Sequence, residues 1–137
     1  FYRAFSVTYS TGSGKQNRLN TRAKRAEYEA RAAEFLESRG YEILERNFRG
    51  ARGEIDLIAR QENCLVFIEV KYRKTDRFGD AAAAVDPRKQ QRLSKMAAFY
   101  CLSRRVPQET PCRFDVIAVT GEKLTHYENA FDFRGQR

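Results

Sequence analysis

Between Arg52 and Lys74 the chain reads RGEIDLIARQENCLVFIEVKYRK, two runs rich in Ile, Leu, Val and Phe with a short polar link between them. With Gln61 to Asn63 as a tight link, the pattern predicts a β-hairpin of Glu54 to Ala59 and Leu65 to Tyr72. Both runs are almost continuously apolar, which predicts strands buried on both faces in the middle of a sheet. Asp56, Glu69 and Lys71 interrupt them. Taking a charge out of water costs on the order of several kcal/mol unless it is paired or holds a metal. The hairpin therefore constrains two things together, a core and a polar focus inside it.

The flanking sequence supplies the rest of one layered domain. Thr21 to Arg39 is Ala/Glu/Arg-rich, places Ala32, Ala33, Phe35 and Leu36 at helical spacing, and ends at Gly40, a helix stop. Tyr41 to Phe48 has strand character. After Tyr72 comes the basic loop KTDRFGDAAAAV, with a flexible point at Gly79. Asp86 then caps a second helix with Pro87 at its first position, and Leu93, Met96, Ala97 and Tyr100 form its inward stripe. A last strand pair, Arg113 to Val119 and Lys123 to Tyr127, closes through Thr120 to Glu122. The order αβββαββ predicts an α/β fold, one mixed central sheet flanked by helices.

Alternation puts Leu65, Phe67, Glu69 and Lys71 on one face of their strand and Val66, Ile68, Val70 and Tyr72 on the other. Glu69 and Lys71, roughly 7 Å apart along the backbone, can flank a single phosphate. A simple hairpin sets Asp56 opposite Ile68 or Glu69, and neighbouring carboxylates repel unless a cation lies between them. Such a pair suits Mg²⁺ or Mn²⁺, which takes hard oxygen ligands and is often held by one or two carboxylates plus substrate phosphate oxygens. Lys71 would then orient water or stabilise developing charge. The bland counterpart is a Glu-x-Lys pair on a solvated strand face. Apolar surroundings, Asp56 at matching depth, and the basic Arg73, Lys74 and Arg77 that follow favour the site. Glu29 shares a helical face with Ala32, Ala33 and Leu36, so it is either a third acidic ligand or an edge-of-stripe glutamate paired with arginine. Lys89, at the start of the second helix's inward stripe, is either a phosphate contact or a snorkelling surface lysine.

Composition sets the limits. At 137 residues and 42% hydrophobic content, the chain suits a single domain with a modest core. No apolar run approaches the roughly 20 residues that span a bilayer, which predicts no membrane association. Cys64, Cys101 and Cys112 are odd in number and widely spaced, which predicts neither disulfides nor a zinc knuckle and fits a reducing cytoplasm. The net charge of +8 favours an anionic partner such as nucleic acid. Six of the 26 basic residues precede residue 27 and no acid does, so twenty bases face 18 acids in the remainder. Residues 1–20, with the Ser/Gly-rich STGSGKQN, read as a linker-like or disordered flexible tail on which no functional reading rests, and the domain is expected over residues 21–137.

The motifs GEIDLIA, VFIEVKYR, DPRKQQRL and RFDVIAV, in that order, resemble the YraN-like family of uncharacterised bacterial proteins over roughly Arg25 to Asp132. That family looks like a branch of the restriction-endonuclease-like PD-(D/E)-x-K nucleases and is similar to archaeal Holliday junction resolvases. The resemblance implies a nuclease domain in which Asp56, Glu69 and Lys71 match the motif acids and lysine, and Glu29 matches a helix-borne acid. Ile55 stands where the name-giving proline would be, and Arg25 where the helix motif has a small residue. The implied activity is metal-dependent hydrolysis of DNA phosphodiesters, on structured or branched DNA. Asp56, Glu69 and Glu29 would hold the ion, with the Val70 carbonyl completing its shell. Arg52, Arg73, Lys74, Arg77, Lys89 and Arg92 would grip the backbone, and a homodimer follows by analogy with junction resolvases. The alternative is a nucleic-acid-binding protein that keeps this fold without cutting. RFDVIAV reads as a structural ion pair on the sheet.

Overall fold

The computed structural model describes residues 4–8, 21–74 and 85–135. In chain order the elements are β1 (Ala4–Thr8), α1 (Thr21–Ser38), β2 (Glu42–Gly50), β3 (Gly53–Gln61), β4 (Cys64–Tyr72), α2 (Pro87–Ser103), β5 (Cys112–Thr120) and β6 (Lys123–Phe131). From Thr21 onward this is the predicted αβββαββ order in one α/β domain. Ahead of it, within the predicted tail, Ala4–Thr8 adds a strand that pairs with β6. An edge strand draws its stability from a partner far along the chain, so local composition does not mark it.

The six strands lie in the order β1-β6-β5-β4-β3-β2. Among the described residues only β4 and β5 run parallel, and α2 lies in the crossover that such a pair requires. The hairpin β3–β4 is central, and every residue from Ile55 to Ala59 and from Leu65 to Glu69 is buried. Leu65 and Phe67 pack with Leu93, Met96 and Tyr100 of α2. Val66 and Ile68 face the other way, onto Ala32, Ala33, Phe35 and Leu36 of α1. Period-two alternation on one strand thus feeds two cores.

Local chemistry sets the boundaries. α1 ends as the sequence predicts: Gly40 adopts φ 87°, its amide donates to the Glu37 carbonyl, and the Tyr41 amide donates to the Leu36 carbonyl. Those bonds satisfy carbonyls that the helix end would orphan, and glycine reaches the left-handed conformation without a Cβ clash. Asp86 caps α2 by accepting the Lys89 amide at 2.9 Å, with Pro87 in the first turn. The edge strand β2 has a register shift between Ile43 and Glu45, and Asn47 takes φ 53°.

The RFDVIAV segment holds a buried polar network. Asp115, fully buried, accepts Arg113 Nε at 3.0 Å and the Asn129 amide at 2.9 Å, and lies 2.8 Å from His126 Nε2. Arg113 also donates to the Tyr41 hydroxyl, which donates to Glu128. The β5–β6 register shifts at this point, between Phe114 and Val116. The predicted ion pair is present, and it ties β5 to β6 and to the chain leaving α1.

Candidate metal centre

The start of β3 and the end of β4 meet at one end of the sheet, where α1 and the first turn of α2 cover opposite faces. β3 and β4 pair from Gln61 and Cys64 up to Leu57 and Ile68. One step further the register would set Asp56 against Glu69, as the hairpin argument expects. There the Asp56 carboxylate takes the place of the ladder, accepting the Val70 amide at 2.8 Å. Asp56 is 5% exposed, and Glu69 is also buried.

Two further carboxylates reach Asp56. Glu29, 8% exposed, comes from α1, and Glu54 stands two residues before Asp56 on β3. Among the described residues, Glu29, Glu54 and Asp56 each offer a carboxylate oxygen within 4.8 Å of the others. Burial pushes the Asp56 carboxyl up to about 8, and the charges of Glu69, Glu29 and Glu54 add to that rise against the Val70 hydrogen bond. Glu29 is raised as well, first by burial and then by Glu54, while its hydrogen bond to Asn47 opposes the rise. A cluster of hard oxygen donors whose own charges oppose its ionisation fits a divalent cation.

The basic groups sit on the flank. Lys89 Nζ lies 2.5 Å from Glu69 Oε1, so its long stem carries the charge onto the buried carboxylate while the side chain stays partly exposed. The Asp86 cap fixes the helix start from which Lys89 extends. Lys71 is held below the ordinary lysine range, first by burial and then by the neighbouring Lys89 charge, with Glu69 opposing. Arg49 Nε pairs with Glu54 at 2.9 Å.

Two clefts open onto these residues. A smaller one of about 180 Å³ brings Asp56, Glu54 and Glu69 together with Arg52, Lys89 and Arg92. A larger one of about 620 Å³ is lined by Glu29, Glu69, Val70 and Lys71, and by Lys24 and Arg25 of α1. Asp56, Glu69, Lys71, Glu29, Val70, Arg52, Lys89 and Arg92 are therefore gathered at one end of the sheet. Arg73 and Lys74 follow β4 but are not among the residues lining these clefts. Arg77 lies outside the described residues.

Glu54, Lys24 and Arg25, and the Tyr28 and Tyr72 rings that line the larger cleft, are not foreseen from the sequence. Glu54 had a usable signal, because the i, i+2 spacing that groups Glu69 with Lys71 also groups Glu54 with Asp56. Arg25 had only its spacing of four residues, about one helical turn, from Glu29, and Lys24 had no signal of its own.

The model of the uncharacterised protein family UPF0102 matches residues 28–119. A UPF0102 protein of Lachnoclostridium phytofermentans is 42% identical over 117 residues, covering 85% of this chain and 99% of the relative. One from Thermodesulfovibrio yellowstonii is 48% identical over 105 residues, covering 77% and 92%. A third, from Klebsiella pneumoniae, is 47% identical over 105 residues, covering 76% and 82%. Among the described residues no helix is long and apolar enough to cross a membrane. The motifs from GEIDLIA to RFDVIAV, carried on this α/β scaffold within the matched span, agree with these likenesses: the chain belongs to the uncharacterised protein family UPF0102, the YraN-like group.

Proposed function

We propose that this protein is a metal-dependent endonuclease that hydrolyses phosphodiester bonds in DNA, with structured or branched DNA as its substrate. The observation that supports this most is the buried Asp56 carboxylate, which has the Glu29 and Glu54 oxygens within 4.8 Å and shares a cleft with Lys89. A bound Mg²⁺ or Mn²⁺ would supply Lewis acidity and a more acidic water. Asp56, Glu29, Glu54 and Glu69 are the residues that would hold it, with Val70 contributing its carbonyl. Lys71, whose proton is held less tightly than that of a surface lysine, would stabilise the charge that develops on the phosphate. Arg52, Lys89 and Arg92 hold the strand through its phosphates without reading bases, and Arg73, Lys74 and Arg77 extend that contact. Two sites in a homodimer would suit a branched substrate, and free cysteines fit a cytoplasmic setting.

One observation favours nucleic-acid binding without cleavage: Glu69 is already engaged by Lys89. The test incubates the wild type, Asp56→Asn and Lys71→Met with linear, nicked and branched DNA in Mg²⁺ and in Mn²⁺. Metal-dependent cutting that both substitutions abolish, with DNA binding retained, is the expected result. A wild type that binds DNA yet leaves every substrate intact supports the second function, and one that neither binds nor cuts overturns both.

A further inference from the structure

Tyr28 of α1 and Tyr72 at the end of β4 stack face to face, with centroids 5.1 Å apart and ring planes 4° from parallel. Tyr28 is half-buried against the α1-side core, whereas Tyr72 is 40% exposed. Both rings line the larger cleft with Lys24, Arg25, Lys71 and Glu69. Because Tyr72 follows Lys71 on the same strand, the end of β4 presents an ammonium on one face and an aromatic ring on the other. The cleft's volume of about 620 Å³ falls in the range of pockets that take small organic ligands, roughly 300–1,000 Å³.

We propose that the Tyr28–Tyr72 pair is a stacking platform for an unpaired base, so that the site takes strands with unpaired nucleotides in preference to blunt duplex. This rests on the nuclease function proposed above and names the substrate feature that the site selects. Within a duplex both faces of each internal base are covered by its neighbours, whereas an unpaired base can turn a face to an aromatic ring. Tyr28 braces Tyr72 from behind, and the rigid pair loses little freedom when a base lands on it. Stacking of this kind tolerates any base, and cations beside the rings hold the adjoining phosphates. Lys24 and Arg25 occupy that place in the cleft.

The test measures binding by fluorescence anisotropy in EDTA, where no metal-dependent cutting occurs, using a short single-stranded oligonucleotide and a blunt duplex of the same sequence. Tyr72→Leu, which keeps the apolar bulk, is expected to weaken single-strand binding about tenfold and duplex binding by less than about twofold. Tyr72→Phe is expected to retain wild-type affinity for both. Equal weakening on the two substrates would make the pair a structural brace and overturn the platform, as would an unchanged single-strand affinity or a wild type that prefers duplex. A single-strand preference that depends on Tyr72, in a protein that never cuts with Mg²⁺ or Mn²⁺, supports the platform while removing the catalytic function.

Discussion

Asp56 and Asp115 are both buried, and each accepts an amide from the adjacent strand where the regular ladder breaks, from Val70 at 2.8 Å and from Asn129 at 2.9 Å. Their surroundings are opposite in sign. Asp115 has Arg113 donating at 3.0 Å and His126 at 2.8 Å, so its charge is answered within the protein. Asp56 has Glu69, Glu29 and Glu54 as the charges that act on it most. The same backbone device thus serves a charge that holds the fold together and one that strains it. The acid cluster is compatible with a fold optimised around a cation, whereas the Asp115 network is complete as it stands.

Substitutions can pull this comparison apart. The largest effect is expected from Asp115→Ala, which removes the buried acceptor shared by Arg113, His126 and the Asn129 amide and should destabilise the fold by about 3–5 kcal/mol in urea unfolding. A loss no larger than that of a surface substitution would mean that water rescues the network. Asp56→Asn should do the reverse, raising metal-free stability by about 1–3 kcal/mol near neutral pH, because the amide keeps the acceptor for Val70 and removes a group that must take up a proton to be buried. The pH dependence follows in sign. The Asp56 carboxyl holds its proton up to about pH 8 when folded, against an ordinary value of 3.8 when unfolded. Its penalty is therefore absent below about pH 4, grows as the pH rises to about 8, and is constant above that. The stability difference between Asp56→Asn and wild type should widen across that window, and a flat difference would show that Asp56 ionises as freely as in water. The smallest effect is expected for Glu54→Gln, which should change metal-free stability by under about 1 kcal/mol while cutting the rise in melting temperature produced by Mn²⁺. An undiminished Mn²⁺ response would remove Glu54 from the ligand set.

Features set by short-range chemistry were legible in the sequence. The period-two pattern of β4, the Asp86–Pro87 start of α2 and the Gly40 stop of α1 each depend on residues a few positions apart. The juxtaposition of Asp56 and Glu69 was legible too, because a two-residue turn leaves the hairpin register little freedom. The Lys89–Glu69 contact was not, since it depends on how the α2 crossover seats on the sheet. Tyr28 and Tyr72 read as an ordinary helix residue and an ordinary strand residue until the packing of α1 on β4 brings their rings together.

The outer position of β2 bears on how copies of this chain meet. Among the described residues no strand pairs with its outer edge, and such an edge carries backbone groups of the kind that recruit further strands and seed aggregation. The register shift at Ile43/Glu45 and the left-handed Asn47 bend the edge, while Glu42, Glu45, Arg46 and Arg49 charge it. Strand-by-strand growth is opposed there by shape and by charge, so two copies of the chain meeting at this edge would find neither a flat ladder nor a neutral one.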